Sequence, residues 1–228
     1  MYLEQFYNRI RKKWKGSLVK VKDIREEEPN AKEYLNKLAK AGLIEKVKWG
    51  WYWIPDEVED IWEFLKKDKN FKVISSQTAA SFWNHDFIHR DIYVIKVDNK
   101  SYQKALEAFA RAKGWNLKVE YETRKMHYIK IGGLFVEDIE ETIINCLQNW
   151  AFVDAFAVLY ANRERIRLEK LAEKGYWKRI AGSDVRVRQA LEYGYSLMDL
   201  RKSKNISLSD DYVRVEIEEA VEKVIRLG

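Results

Sequence analysis

The sequence predicts an α+β chain: an N-terminal winged helix-turn-helix followed by a mixed α/β domain with a helical C-terminal part. Three observations lead there. Over residues 1–54 the apolar positions read helix, short strand, helix, helix and β-hairpin, in that order. Beyond residue 70, β-prone runs alternate with helical ones, and from Val136 onward the pattern is helical. The excess positive charge is confined to the first quarter, where residues 1–54 carry 13 Lys and Arg against 7 Asp and Glu, while the remainder carries 29 of each. The predicted division is a DNA-binding module over 1–55, a linker helix over 56–70 and a second domain over 71–228.

Leu3, Phe6, Tyr7, Ile10 and Trp14 recur at helical spacing and predict a first helix over 2–15, ended by Gly16. Leu18, Val19 and Val21 predict a short extended segment. Asp23 is placed to cap a short helix over 24–28. Pro29 precedes a longer helix over 30–42, with Ala31, Tyr34, Leu35, Leu38 and Ala39 on one apolar stripe and Gly42 as its stop. Two β-prone runs, 43–48 and 51–54, flank a turn at Trp49-Gly50, and Pro55 closes the hairpin. The segment 56–70 reads as a helix with Val58, Ile61, Trp62 and Leu65 inward. Strands follow in FKVIS, DIYVIKV, WNLKVEY and MHYIKIGGLFVE. Helices are expected in SQTAASFWN, in SYQKALEAFARAKG, and over 137–149, 151–161, 163–174, 184–194 and 213–226.

This arrangement suits double-stranded DNA, a polyanion whose condensed counterions are released when Lys and Arg neutralise its phosphates. Arg11, Lys12, Lys13 and Lys15 lie late in the first helix. Lys20, Lys22 and Arg25 precede the recognition helix, and Lys46 and Lys48 decorate the wing; all are candidate backbone contacts. Asn30, Lys32, Asn36, Lys37 and Lys40 occupy the polar face of the recognition helix. There an Asn can pair with adenine and a Lys can reach guanine acceptors. Glu33 is expected to pair with Lys37 at i,i+4 rather than read a base. Trp49, Tyr52, Trp51 and Trp53 crowd the wing beyond what one face of a strand can bury, and a protein contact, a homodimer contact included, is the expected use.

Two segments also carry a resemblance. The wing KWGWYWIP resembles the short wing that closes the winged helix of AbiEi-type antitoxins, the transcriptional-regulator component of type IV toxin–antitoxin systems. FKVISSQTAASFWNHDFIHRDIYVIKV resembles the start of that family's second domain, and GGLFVEDIEETIINCL its later strand-to-helix pattern. The resemblance spans residues 17–160 and implies a regulator that binds inverted repeats in its own promoter. It implies a nucleotidyltransferase toxin encoded nearby as functional partner, without obligatory contact. No catalytic residue and no cofactor come with it.

Two other classes stay open. A metal-dependent enzyme would draw on His85-Asp86-x-x-His89 with His127, or on Asp98, Glu120, Glu122 and Lys125 as a nuclease set around Mg²⁺. The first falls where a loop is expected, so its helical spacing loses meaning; the second has loose spacing. An adaptor would use the winged helix to bind protein. Glu137, Asp138, Glu140 and Glu141 read as capping at a helix start, and Gly132-Gly133 as a bulge or turn. A single cysteine, Cys146, excludes an internal disulfide and reads as a small buried apolar residue. No apolar run approaches a membrane span, and no secretory signal is expected at the N-terminus. A cytoplasmic location is therefore expected. High charge with few Cys and Met suits a thermophile.

Overall fold

The computed structural model describes residues 2–84, 91–166, 185–198 and 211–227. Over these the chain is mixed α+β, with ten helices and two sheets. The elements run α1 (Tyr2–Trp14), β1 (Ser17–Lys20), α2 (Val21–Arg25), α3 (Ala31–Lys40), β2 (Glu45–Lys48), β3 (Trp51–Ile54), α4 (Ile61–Lys67), β4 (Val73–Ile74) and α5 (Ser76–Trp83). They continue β5 (Tyr93–Val97), α6 (Lys100–Ala112), β6 (Leu117–Tyr121), β7 (Tyr128–Ile131), β8 (Leu134–Glu137), α7 (Ile139–Gln148), α8 (Phe152–Ala161), α9 (Val185–Leu197) and α10 (Asp211–Leu227). A three-stranded sheet has the order β1-β3-β2 and a five-stranded sheet the order β6-β5-β4-β8-β7. Among the described residues no helix is long and apolar enough to cross a membrane.

The chain forms two compact units. One comprises Met1–Lys72, Lys96–Thr123 and Gly132–Leu134; the other comprises Val73–Ile95, Arg124–Ile131 and Phe135–Gly228. The boundary thus differs from the cuts at 55 and 70 expected from charge and pattern. Residues 96–123 group with the first quarter because α6 packs on β3.

In the first unit β3 is central and antiparallel to both neighbours, and all four of its residues are buried. Alternation explains how. Tyr52 joins a cluster with Phe6, Ile10, Ile24, Leu35, Leu38 and Ile44 from α1, α2, α3 and the segment before β2. Trp51 and Trp53 point the other way: Trp53 packs 4.8 Å from Phe109 of α6 and 5.6 Å from Phe64 of α4, and Trp51 lies 5.7 Å from Tyr102. A strand covered on both faces can bury consecutive aromatics, so only Trp49 of the wing tryptophans remains in water. Gly16 ends α1 at φ +74°, and a Cβ there would lie 3.0 Å from the Cβ of Lys67, so both backbone and space require glycine.

Several boundaries move. Helix α2 starts directly after β1 at Val21, so Asp23 sits in its first turn and is not its cap. Residues 56–60 are not helical; α4 starts at Ile61, where the Asp60 carboxylate accepts from Glu63 N at 2.8 Å. Residues 163–166 form a turn and not the start of the expected helix, whose remainder lies outside the described residues, as do His85 and His89.

In the second unit β4 runs parallel to β8, with Ile74 opposite Val136. Helices α5, α7, α8, α9 and α10 bury an apolar core that includes Ile143, Leu147, Phe156, Leu159, Leu191, Ile217 and Val221. Asp138 caps α7, accepting from Glu141 N at 2.8 Å. Glu137 behaves otherwise: it ends β8, is fully buried, and accepts from Ser75 Oγ at 2.6 Å, Ser76 N at 2.9 Å and Asn145 Nδ2 at 2.8 Å. Its carboxylate binds the first N–H of α5, one of the donors at a helix start that have no partner within the helix. That anchor coincides with a left-handed backbone at Ser76, φ +50°, a conformation costly for a residue with a Cβ. Cys146 is buried, and Gly132-Gly133 form the two-residue turn between β7 and β8 with both φ positive.

Candidate nucleic-acid interface

Helices α2 and α3 are joined by a turn that α1 holds in place. Glu28, buried in that turn, accepts from Arg9 at 3.1 Å and from Tyr2 Oη at 3.3 Å. Charge pairing then thins the candidate cations. Lys13 pairs with Glu27, Lys15 with Asp56 at 2.7 Å, and Lys37 with Glu33 at 2.6 Å. Lys37 is accordingly raised above the ordinary lysine pKa by its bond to Glu33, and Asp56 is held below the ordinary carboxylate range, chiefly by Lys15. The Lys13–Glu27 and Lys37–Glu33 pairs are exposed and add little to stability, whereas the Asp56 side chain is mostly covered. Their consequence is electrostatic: a cation neutralised by its own chain offers less to a phosphate.

The structure gathers six of the candidates around one cleft of about 390 Å³. Lys20 comes from the end of β1, Lys22 and Arg25 from α2, Lys32 and Asn36 from α3, and Lys46 from the hairpin, with Trp49, Gly50, Tyr52 and Ser101 completing the wall. Among the described residues no carboxylate lines it. The Lys20 ammonium lies 5.9 Å from the Trp51 ring and the Lys32 ammonium 5.7 Å from the Trp49 ring, cation–π contacts that position both charges at the cleft. Five like charges converging on one concavity repel each other in the free protein, so an anionic occupant relieves a cost as well as making contacts.

Asn36 is half-buried, and its Oδ1 accepts from Tyr52 Oη at 2.7 Å. That bond fixes the amide orientation. The bond uses one of the two lone pairs of Oδ1, which keeps the other as an acceptor, and Nδ2 can donate to a base acceptor such as N7 of a purine. Asn30 is exposed at the α3 N-cap without a side-chain capping bond, beside Lys32 and Asn36 in a shallow depression. Arg11, Lys12 and Lys40 are exposed but line none of these hollows.

Lys48 belongs instead to a second cleft, of about 290 Å³, with Lys100, Ser101 and Lys104 of α6 and Trp49 and Trp51 of the hairpin. Sequence reasoning missed Lys100 and Lys104. Their i,i+4 spacing puts them on one helix face, but only the packing of α6 on β3 brings that face to the wing. The orienting bond is Trp51 Nε1 to Ser101 Oγ, 2.9 Å.

No protein-family model matches this sequence, and no curated protein matches it. Among the described residues no three or more His, Cys, Asp or Glu are placed to hold a metal ion; His85, Asp86 and His89 lie outside the described residues. Glu120 is engaged by Lys118 at 2.7 Å, and Asp98 is exposed at the end of β5.

Proposed function

We propose that this chain is a sequence-specific double-stranded DNA-binding transcriptional regulator built on an N-terminal winged helix-turn-helix. The element order α1-β1-α2-α3-β2-β3, with an antiparallel β1-β3-β2 sheet, supports the winged-helix reading. In it α3 is the recognition helix and β2–β3 the wing. The observation that carries the function is the cleft between them, where, among the described residues, five cations and no carboxylate face the concavity. On this reading α3 enters a major groove, Asn36 donates to a base edge, and the surrounding Lys and Arg fix the register on phosphates.

The segments that resemble AbiEi-type antitoxins point further, to a regulator of its own operon in a toxin–antitoxin pair, acting without catalysis. The test is a binding titration of the full chain against a random-sequence duplex pool and the DNA upstream of its own gene, over a range of salt. A complex whose affinity falls steeply and log-linearly with salt supports the reading. No complex at low ionic strength overturns it. A complex that persists on one sequence when competitor DNA is added distinguishes a regulator from a general basic surface.

A further inference from the structure

The first unit carries positive charge on both sides of its hairpin, and Trp49 stands on the crest between. Trp49 is 85% exposed, the highest exposure among the described large apolar side chains. The same hairpin buries Trp51 and Trp53 to a few per cent. Trp49 differs because the tight turn at Gly50, φ +74°, projects it outward. Trp49 borders the Lys20–Arg25–Lys32 cleft and also the Lys48–Lys100–Lys104 cleft, and among the described residues neither cleft is lined by a carboxylate.

A flat apolar ring rimmed by cations fits poorly against an apolar protein groove, because docking there would strip water from ammonium groups without pairing them. Its complement is a flat apolar face on a polyanion. An unpaired nucleic-acid base has that form, stacking on indole while its phosphates meet lysines. Within a continuous duplex the base faces are covered by their neighbours, so such a face is available only where the stack is interrupted. Lys100 and Lys104, about 6 Å apart along one face of α6, sit where the strand leaving that interruption would run.

Resting on the DNA-binding reading, we infer that the hairpin reads a duplex-to-single-strand junction. The duplex lies on the α2–α3 side. Trp49 stacks on the first unpaired base, and the departing strand's phosphates lie in the Lys48–Lys100–Lys104 cleft.

The experiment compares three labelled DNAs by anisotropy: a blunt duplex, the same duplex with one strand extended, and the extension strand alone. A 2-aminopurine occupies the first unpaired position. The extended duplex is expected to bind about 5- to 150-fold more tightly than the blunt one, the range set by one base stack at 1.4 kcal/mol per tenfold. Binding quenches the 2-aminopurine. In Trp49→Ala the ratio of the two affinities collapses toward one and quenching is lost, while Trp49→Phe recovers both in part. The double variant Lys100→Ala/Lys104→Ala lowers the salt slope more for the extended than for the blunt duplex. Equal affinity for extended and blunt duplexes, or an undiminished ratio in Trp49→Ala, overturns the inference while duplex binding stands. Failure of every DNA to bind overturns the proposed function and this inference with it.

Discussion

Tyr102 of α6 donates its phenolic hydrogen to Asp68 across 2.5 Å, and both residues are buried. Asp68 also accepts from Lys72 Nζ at 3.0 Å, Leu18 N at 2.8 Å and Asn70 Nδ2 at 3.0 Å. One carboxylate therefore ties strand β1, the chain after α4 and helix α6 together beneath the hairpin. Asp68→Ala leaves the buried ammonium of Lys72 uncompensated, a change that costs roughly 3–5 kcal/mol. Urea unfolding is expected to show a lowered midpoint at unchanged slope. A shift within experimental error would mean that this network does not hold the unit together.

Tyr102 is raised well above the ordinary phenol pKa, first by burial and then by the neighbouring Asp68 charge. A raised pKa means that the folded state favours the protonated phenol. The contribution is complete below the ordinary phenol value of about 10 and is lost as pH rises above it. The tyrosinate absorbance trace of wild type minus Tyr102→Phe is expected to show one step above that value, together with loss of ellipticity. A step near 10 while the protein stays folded contradicts the prediction.

Asn36 and Tyr52 form a pair whose two halves have different tasks. Asn36→Ala removes the Nδ2 donor and is expected to weaken binding to a selected site about two- to tenfold, the worth of one neutral hydrogen bond, with little effect on unselected DNA. Tyr52→Phe keeps the ring in the core but frees the amide to rotate. Base preference at one position should then broaden, seen by repeating site selection with the variant. Identical selected sites for wild type and Tyr52→Phe would show that the amide orientation is not read.

The order of elements in the first quarter was legible because short amphipathic segments with glycine stops are local signals: Gly16, Gly42 and Gly50 each fall where the chain turns. The Glu33–Lys37 pair was legible for the same reason, since i,i+4 neighbours meet in any helix. The assignment of α6 to the first unit was not. Nothing in SYQKALEAFARAKG says that Tyr102 and Phe109 face Trp51 and Trp53, because that depends on contacts between residues some fifty positions apart. The consecutive aromatics of β3 were readable as too many for one face, but what covers the second face required the tertiary structure. Glu137 was misassigned with its acidic neighbours for a related reason. Its burial follows from Ser75, Ser76 and Asn145 arriving from elsewhere in the chain.

Gly194 lies inside α9, where glycine lowers helix stability by about 1 kcal/mol relative to alanine. The reason for its presence is space: a Cβ at this position would overlap the ring of Phe156 in α8. Gly194→Ala should therefore destabilise by roughly 1–3 kcal/mol, the usual cost of overpacking, despite improving helix propensity. The double variant Gly194→Ala/Phe156→Leu is expected to recover part of the loss, measured as coupling in a double-mutant cycle. Additive effects would show that the two helices do not press together here.

Salt dependence separates cations that meet phosphate from those already satisfied. Lys22 and Arg25 line the cleft, where no carboxylate is found among the described residues, whereas Lys37 is bonded to Glu33 on the same helix. Each phosphate contact adds about 0.9 to the slope of log affinity against log salt for duplex DNA. Lys22→Ala and Arg25→Ala should each lower that slope by about one and weaken matched and scrambled duplexes alike. Lys37→Ala should lower it much less, because the ammonium lost was already countered by a carboxylate. Lys12 is a sharper discriminator: it is exposed at the end of α1 and lines none of the clefts. If Lys12→Ala reduces the slope as much as Arg25→Ala does, the duplex extends beyond the cleft onto α1. A slope unchanged in Lys22→Ala and Arg25→Ala would remove the cleft from the interface altogether.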